Sequence, residues 1–381
     1  MEKIYYSLGL MSGTSMDGVD VSIIQTDGKY KYKAILDKYY EYPEKIYKRL
    51  TSLRDKIKNS KDLKKHQKLI KYIEKEITIF HAKAVKETLK KTKINIDFIG
   101  FHGQTIFHNA EEKITKQLGD GKLLSKLTKK KVVYDFRQND LNNDGQGAPL
   151  TPIFHRSIKS KISRQNKSLI FINIGGISNA TCFNDTHFKE RMFARDIGPG
   201  NCLIDEWIRK NSEYKYDKNG LIAKSGKINS LILNQALGNI NYQNIENKYS
   251  LDIKNFDISF VRDLCLEDGA ATLTNFTAEI IADGLNQLIE ENKYKFGNII
   301  FPEIIICGGG RKNKYLIKLL KKKLKFSEFF SIDKYNIDGD FIESQAFAYL
   351  AIRSFLKLPI TFPETTGCRK PSTGGVIVKN F

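Results

Sequence analysis

Residues 9–20 read GLMSGTSMDGVD, and the reading of this stretch decides the fold. The apolar runs 4–10 and 19–24 have strand character, and Ser12, Gly13, Thr14, Ser15, Asp17 and Gly18 lie between them. Two strands joined by a turn of glycine and hydroxyl residues predict a hairpin. The glycines let the backbone bend and come close to a ligand. Successive N–H groups of such a turn form an anion nest, and three hydroxyls add donors for phosphate oxygens. Taken by itself, the turn reads as an ordinary hairpin.

The second half of the chain repeats the pattern. An apolar strand at 168–174 runs into GGISNAT, with Gly175, Gly176 and Asn179, and strand character returns at 181–183. Residues 191–195 then lead to DIGPGN at 196–201, ahead of a predicted helix. Asp196 is thereby expected just after a strand and before a Gly-Pro-Gly turn, a position that exposes its carboxylate. A third turn, GGGRKN at 308–313, follows the isoleucine-rich strand 303–307 and opens a helix over 314–323. Strand–GGG–helix gives a nucleotide access to backbone and to a helix N-terminus. The GxxxxGK[ST] pattern is absent and no GxGxxG follows the first strand, which argues against a P-loop enzyme and a dinucleotide oxidoreductase.

Composition sets the outer bounds. The chain has 381 residues, 41% hydrophobic and 28% charged, as in a globular protein with one large domain or two lobes. Met1-Glu-Lys leads straight into a strand, and no apolar run nears the ~20 residues of a membrane span. The 5 cysteines are scattered with no CxxC, so a cytoplasmic protein with reduced thiols and no membrane partner is expected. The net charge of +20 invites a nucleic-acid reading. Lysine runs through every helical segment with few interleaved aromatics, however, so a solvated surface is the reading and no nucleic-acid partner is expected.

Between the turns, residues 30–40 predict a strand, Pro43 starts a helix, and 61–90 predict a longer one with Leu69, Ile70, Ile73, Ile77, Phe80 and Ala84 as its core stripe. Its His66 and His81 read as surface or packing residues. The short strand 97–101 runs into HGQTIFH, where His102 and Gln104 could reach a ligand at a strand's carboxyl end. His108 could equally be loop packing, and the pattern is a poor metal signal. Residues 137–155, with Arg137, Asp140, Gln146 and Pro149, form either a substrate loop or a surface excursion. Residues 211–257 carry little signal beyond helices and loops of a lid-like segment. A strong helix over 270–291 presents Ala278, Ile281, Leu285 and Leu288 on one face. Glu343 falls in the first turn of a helix, where the dipole favours an acid with or without a functional role. The Gly/Pro-rich tail ends in a strand.

Two phosphate-type hairpins followed by a strand–GGG–helix turn resemble the superfamily of actin, heat-shock chaperone ATPases and sugar kinases. The wording narrows this further. LMSGTSMDGVD, FHGQTIFH, LGDG, GQGAPL, NIGGISN, DIGPGN, DGAAT, CGGGRKN and ESQAFAYLA with TFPETTG resemble the anhydro-N-acetylmuramic acid kinase family, over residues 9 to 375. The resemblance implies an α/β fold of two actin-like, ribonuclease H-like lobes with an ATP cleft between them. Lobe I would comprise residues 1–160 with 355–381 packing back, and lobe II residues 161–354. It implies an enzyme that uses ATP and Mg²⁺ to open 1,6-anhydro-N-acetylmuramic acid with water and phosphorylate O6, in cell-wall recycling.

Carried over residue by residue, Gly13, Thr14, Ser15, Met16, Asp17, Gly18, Val19 and Asp20 would bind ATP phosphates. Gly175, Gly176 and Asn179 would form the opposing phosphate hairpin, and Gly308, Gly309, Gly310 and Asn313 would lie at the nucleoside. Asp196 would be the general base. Glu343, His102, Gln104, Gln146 and Asn201 would serve the sugar. Metal ligands stay unassigned, and a homodimer is implied. Two departures stand out: Asp144 interrupts the expected Gly-rich run before GQGAPL, and Cys368-Arg-Lys adds charge after TTG. The competing readings are another amino-sugar kinase of the same fold, such as one acting on N-acetylglucosamine, and a non-catalytic ATP-binding switch.

Overall fold

In the computed structural model, which describes residues 3–162, 168–186, 189–239, 256–296, 302–325 and 327–381, two units form. The first is Met1–Ile162 with Phe341–Phe381, the second Ser163–Asp340.

The first unit is built on β1 (Tyr5–Ser12), β2 (Gly18–Thr26) and β3 (Tyr32–Glu41), an antiparallel meander. β4 (Phe98–Asn109) runs parallel to β1, and β5 (Ile114–Leu118) folds back onto β4. β6 (Lys131–Tyr134) is parallel to β4, and a C-terminal strand, Val376–Val378, closes the far edge. β1 is central and buried on both faces, as a strand covered by helices on two sides must be. Its alternation sorts the faces. Leu8 and Leu10 enter a core with Leu50, Leu53, Ile73 and Ile77 from the helices Glu44–Lys56 and Gln67–Leu89. Each such fully buried side chain contributes about 1.5–3 kcal/mol.

Gly9 faces the other way, beside Gly100 of β4 in the parallel register. A Cβ on Gly9 would meet the Ser344 carbonyl, and one on Gly100 the Phe347 carbonyl, so the pair forms a groove for the helix Ile342–Phe355. Polar bonds complete the docking. The Ser22 and Ser344 hydroxyls lie 2.7 Å apart, and Gln345 Nε2 donates to both Asp37 oxygens at 3.0 Å while its Oε1 accepts from the Tyr32 phenol. This helix, assigned from sequence to the second lobe, therefore belongs with the first.

The second unit repeats the plan with β7 (Leu169–Ile174), β8 (Ile177–Thr186) and β9 (Lys189–Pro199) antiparallel, then β10 (Glu303–Cys307) and β11 (Glu328–Ser331) parallel to β7. The order β11-β10-β7-β8-β9 matches β6-β4-β1-β2-β3 in sequence and direction. The fold is α/β with two mixed sheets of one ribonuclease H-like plan. Ala278, Ile281, Leu285 and Leu288 of the helix Leu266–Phe296 cover the β-sheet core, as the periodicity predicts. Its earlier turns pack with Trp207, Leu203 and Leu233 in a second cluster.

Several boundaries differ from expectation. HGQTIFH lies inside β4 rather than beyond a short strand, because β5 pairs with it. The 61–90 helix breaks at His66 into Ser60–Lys65 and Gln67–Leu89. The stretch 137–155 holds a short helix, Gln138–Asn142, and the start of another, Pro152–Ile162. The expected lid-like segment is helical at Leu221–Ser225 and Ser230–Gly238, and residues 240–255 lie outside the described residues. Among the described residues no helix is long and apolar enough to cross a membrane.

Candidate active site

In the first unit the 13–17 turn is framed from beneath. The Ser12 hydroxyl is shared between the Gly18 carbonyl at 2.9 Å and Gln104 Oε1 at 2.7 Å, and it accepts from the Tyr42 phenol at 3.2 Å. Gln104 Nε2 donates to the Gly13 carbonyl at 3.0 Å, which also accepts the Met16 N–H at 3.1 Å. Met16, at φ 58°, and Val19 are buried, so these positions offer a ligand only backbone. Thr14 and Ser15 are exposed, Asp17 and Asp20 are half-buried, and the Ser15 hydroxyl donates to Asp17 Oδ1 at 2.6 Å. Gln104 is wholly buried and holds the hairpin to β4. Both ends of the amide expected at the sugar are thus engaged within the protein.

His102 also has a different part. Its ring packs on Phe347 with centroids 4.5 Å apart, and Nδ1 lies 2.8 Å from the Gly103 carbonyl. Arg137 reaches Nε2 with Nη2 at 2.9 Å and Nε at 3.2 Å. Burial first, then the adjacent guanidinium, push the imidazole well below its usual range, so the ring is neutral. Nδ1–H then donates to Gly103, and Nε2 accepts from Arg137. With both nitrogens engaged, His102, expected at the sugar, orients Arg137. Arg137 also donates to the Gly147 carbonyl at 2.7 Å and stands half-buried just beyond β6. His108 is loop packing: its nitrogens engage the Thr115 hydroxyl at 3.0 Å and the Gln146 carbonyl at 2.8 Å. Gln146 and Glu343 are half-buried, Glu343 in the first turn of its docked helix.

In the second unit, the β7–β8 turn is braced by the residues after Asp196. The Asn201 N–H donates to the Gly175 carbonyl at 2.7 Å, and the Gly200 N–H donates to that of Gly176 at 2.8 Å. Asn201 thus braces the turn through its own backbone, and its Nδ2 lies 3.5 Å from the Ile174 carbonyl. Asp196 sits within β9, opposite the half-buried Asn179 of β8, and is 7% exposed. The expected exposed carboxylate is therefore buried, because DIGP continues the strand to Pro199 before the chain turns.

The GGG turn leaves β10 with Gly308 at φ 77°, where a Cβ would run into Asn173 Oδ1 and the Ile174 carbonyl. Its N–H donates to the Gly339 carbonyl at 3.0 Å, and Arg311 Nη1 donates back to its carbonyl at 3.1 Å. Arg311 also bonds Asp333 at 2.8 and 3.1 Å, Asp338 at 3.2 Å, and Asp340. Burial would raise the Asp333 carboxyl, but its hydrogen bonds from Arg311, Ser331 and Gly339 outweigh that and hold it at about 2. A cavity of about 600 Å³ lies alongside, lined by Arg311, Lys312 and the three aspartates. Asn313, expected at the nucleoside, caps the helix Lys314–Lys323: its buried Oδ1 accepts the Leu316 N–H at 3.0 Å.

One feature unites the three turns. Where a Cβ would stand on Gly13, the nearest described atom is Ser15 Oγ at 3.9 Å; on Gly175 it is 3.5 Å away, and on Gly309 there is none within 4 Å. None of the three has positive φ, so neither the fold's packing nor its backbone demands glycine there. Sequence reasoning gave Arg137 no firm role and overlooked Tyr42 and Arg311. A basic residue three positions beyond the C-terminal end of β6 was the available signal for Arg137.

The chain is similar to known proteins over its whole length. The family described as anhydro-N-acetylmuramic acid kinase matches residues 5–380. An anhydro-N-acetylmuramic acid kinase of Pelagibacter ubique (strain HTCC1062) is 53% identical over 384 residues, covering 100% of both chains. One of Zymomonas mobilis is 38% identical, covering 97% of this chain and 99% of that protein. Among solved structures, the activator of the 2-hydroxyisocaproyl-CoA dehydratase from Clostridium difficile with bound ADPNP aligns over 91% of this chain and 94% of its own, at 10% identity and a TM-score of 0.40. The full-length match in wording and in relatives establishes that the chain belongs to the anhydro-N-acetylmuramic acid kinase family of phosphotransferases.

Proposed function

We propose that the protein opens the 1,6-anhydro ring of 1,6-anhydro-N-acetylmuramic acid with water and transfers the γ-phosphoryl group of ATP to O6, giving N-acetylmuramic acid 6-phosphate and ADP. The observation that carries the nucleotide half is a glycine in each of the three turns, Gly13, Gly175 and Gly309, at which no neighbour crowds the position of a Cβ. The backbone of the 13–15 turn, with the Thr14 and Ser15 hydroxyls, takes phosphate oxygens, while the Met16 N–H is already bonded to Gly13. Gly175 and Gly176 offer a second phosphate turn, and Gly308, Gly309 and Gly310 approach the nucleoside.

The substrate lacks a free O6, so deprotonating a hydroxyl is not a route. Asp196 takes a proton from water, whose oxygen bonds the anomeric carbon. The C1–O6 bond breaks, O6 bonds the γ-phosphorus, and the β–γ bridging oxygen leaves with ADP. A base of this kind contributes ~100- to 10,000-fold. Glu343 serves the sugar hydroxyls, and Arg137, held by neutral His102, suits the muramic carboxylate.

Mg²⁺ neutralises phosphate charge in such transfers. Among the described residues no cluster of three or more acidic, histidine or cysteine ligands occurs. Asp17 and Asp20 are the hard-oxygen donors for such an ion on the first hairpin. A cytoplasmic homodimer is the setting that accompanies this reading.

A kinase for another amino sugar would use the same turns. Product mass separates the two: water plus phosphate added to the anhydro sugar supports the proposal, and phosphate alone added to N-acetylglucosamine sinks it. Asp196→Asn should bind ATP and lose turnover, and near-normal turnover would remove Asp196 from the mechanism.

A further inference from the structure

We infer that the C-terminal TTG segment is a strap that positions the substrate loop, with Thr366 and Asp140 as its positioning residues. The inference rests on the proposed role of the loop that carries Arg137 in binding the sugar. Asp140 is 1% exposed, and its two oxygens have different partners: Oδ2 accepts the Gly147 N–H at 2.7 Å, and Oδ1 accepts the Thr366 hydroxyl at 2.8 Å. One carboxylate thus joins the start of the loop, its end and the tail. The Gly147 peptide it grips from the N–H side is followed by the carbonyl that Arg137 binds.

Backbone bonds repeat the tie. The Gln146 N–H donates to the Thr366 carbonyl at 2.8 Å, and the Arg369 N–H to the Asn143 carbonyl at 3.0 Å. At the loop's outer edge Asp144, at φ 63°, pairs with both Lys113 and Arg369. The tail's Arg369 thus meets the loop through an ion pair as well as through backbone. A loop rich in Asn and Gly would otherwise lose conformational freedom when the sugar binds, and a strap removes that loss beforehand.

The test uses the full-length protein and four variants in steady-state kinetics, varying sugar and ATP separately. Thr366→Val keeps volume and deletes the donor to Asp140. It should raise the KM for the anhydro sugar about tenfold, keep the KM for ATP within twofold, and speed amide exchange at Gln146 and Gly147. Thr366→Ser, which retains the hydroxyl, should restore all three. Equal rises in both KM values, or no rise with Thr366→Val while Arg137→Ala raises the sugar KM, would overturn the strap. If Arg137→Ala leaves the sugar KM unchanged, the substrate-loop reading itself has failed, and the strap's role goes with it. Should Thr366→Val not fold, the exposed pair variant Asp144→Ala/Arg369→Ala decides by the same split: a sugar-selective rise supports the strap, and unchanged KM values overturn it.

Discussion

Replacing Gln104 by Met removes its two hydrogen bonds to the hairpin, along with a longer one of 3.3 Å to the Thr105 carbonyl, at nearly constant volume and distinguishes a hairpin brace from a sugar contact. The wild-type amide bonds Ser12 Oγ at 2.7 Å and the Gly13 carbonyl at 3.0 Å. Neither partner is orphaned by the change. Ser12 retains the Gly18 carbonyl at 2.9 Å, and Gly13 retains the Met16 N–H at 3.1 Å. The cost is therefore that of two net hydrogen bonds, about 1–3 kcal/mol, without the larger penalty of an unsatisfied buried group. A loss of ~2 kcal/mol lowers the melting temperature by roughly 4–8 °C for a unit of this size. The same loosening reaches the turn proposed to hold phosphate, where ~1.4 kcal/mol corresponds to about tenfold in affinity. Thermal melts, ATP titration and coupled ADP-release kinetics would measure both effects. The expected result is a KM for ATP raised about tenfold with the sugar KM within twofold. A selective rise in the sugar KM would refute the brace and return Gln104 to the substrate.

Three further outcomes follow from named contacts. Arg311→Met leaves Asp333, Asp338 and Asp340 facing one another without their shared cation, so ATP binding should weaken at least tenfold. Arg311→Lys should rescue little, because a lysine cannot reproduce the forked geometry; full rescue would make the clamp a matter of charge alone. Gly308→Ala adds a Cβ at φ 77° against Asn173 and the Ile174 carbonyl. It should cost about 1–3 kcal/mol and fall on ATP rather than sugar affinity, and wild-type ATP affinity would speak against the turn's role.

The third outcome concerns pH. His81 is buried between the Tyr42 and Phe101 rings, with Nδ1 2.7 Å from the Ile77 carbonyl, and burial lowers it from 6.5 to about 4. Below its unfolded value only the unfolded chain binds this proton. Stability is thus fully present above pH 6.5 and falls as pH drops towards 4, by on the order of 3 kcal/mol. His81→Leu should flatten that acid slope by close to one proton in melts across the window, and an unchanged slope would refute the burial argument.

The sequence by itself determined the repeated strand–turn–strand plan and its three glycine turns. Alternation, turn chemistry and helical spacing are local signals, and the hairpin at residues 9–20, the stripe through Ile70, Ile73 and Ile77, and the glycine turn that opens Lys314–Lys323 all lie within one or two turns of chain. Motif wording then carried the family. What each polar side chain does was decided only by the tertiary structure. Gln104 braces Ser12 from 92 residues away, His102 holds Arg137 across 35, and Asp140 meets Thr366 across 226. The helix bearing Glu343 joins the first unit because Gly9 and Gly100 become neighbours only when β1 and β4 pair in parallel. A hydrogen-bonding group's role is set by its nearest partner in space. Where that partner is distant in the chain, no local pattern encodes it.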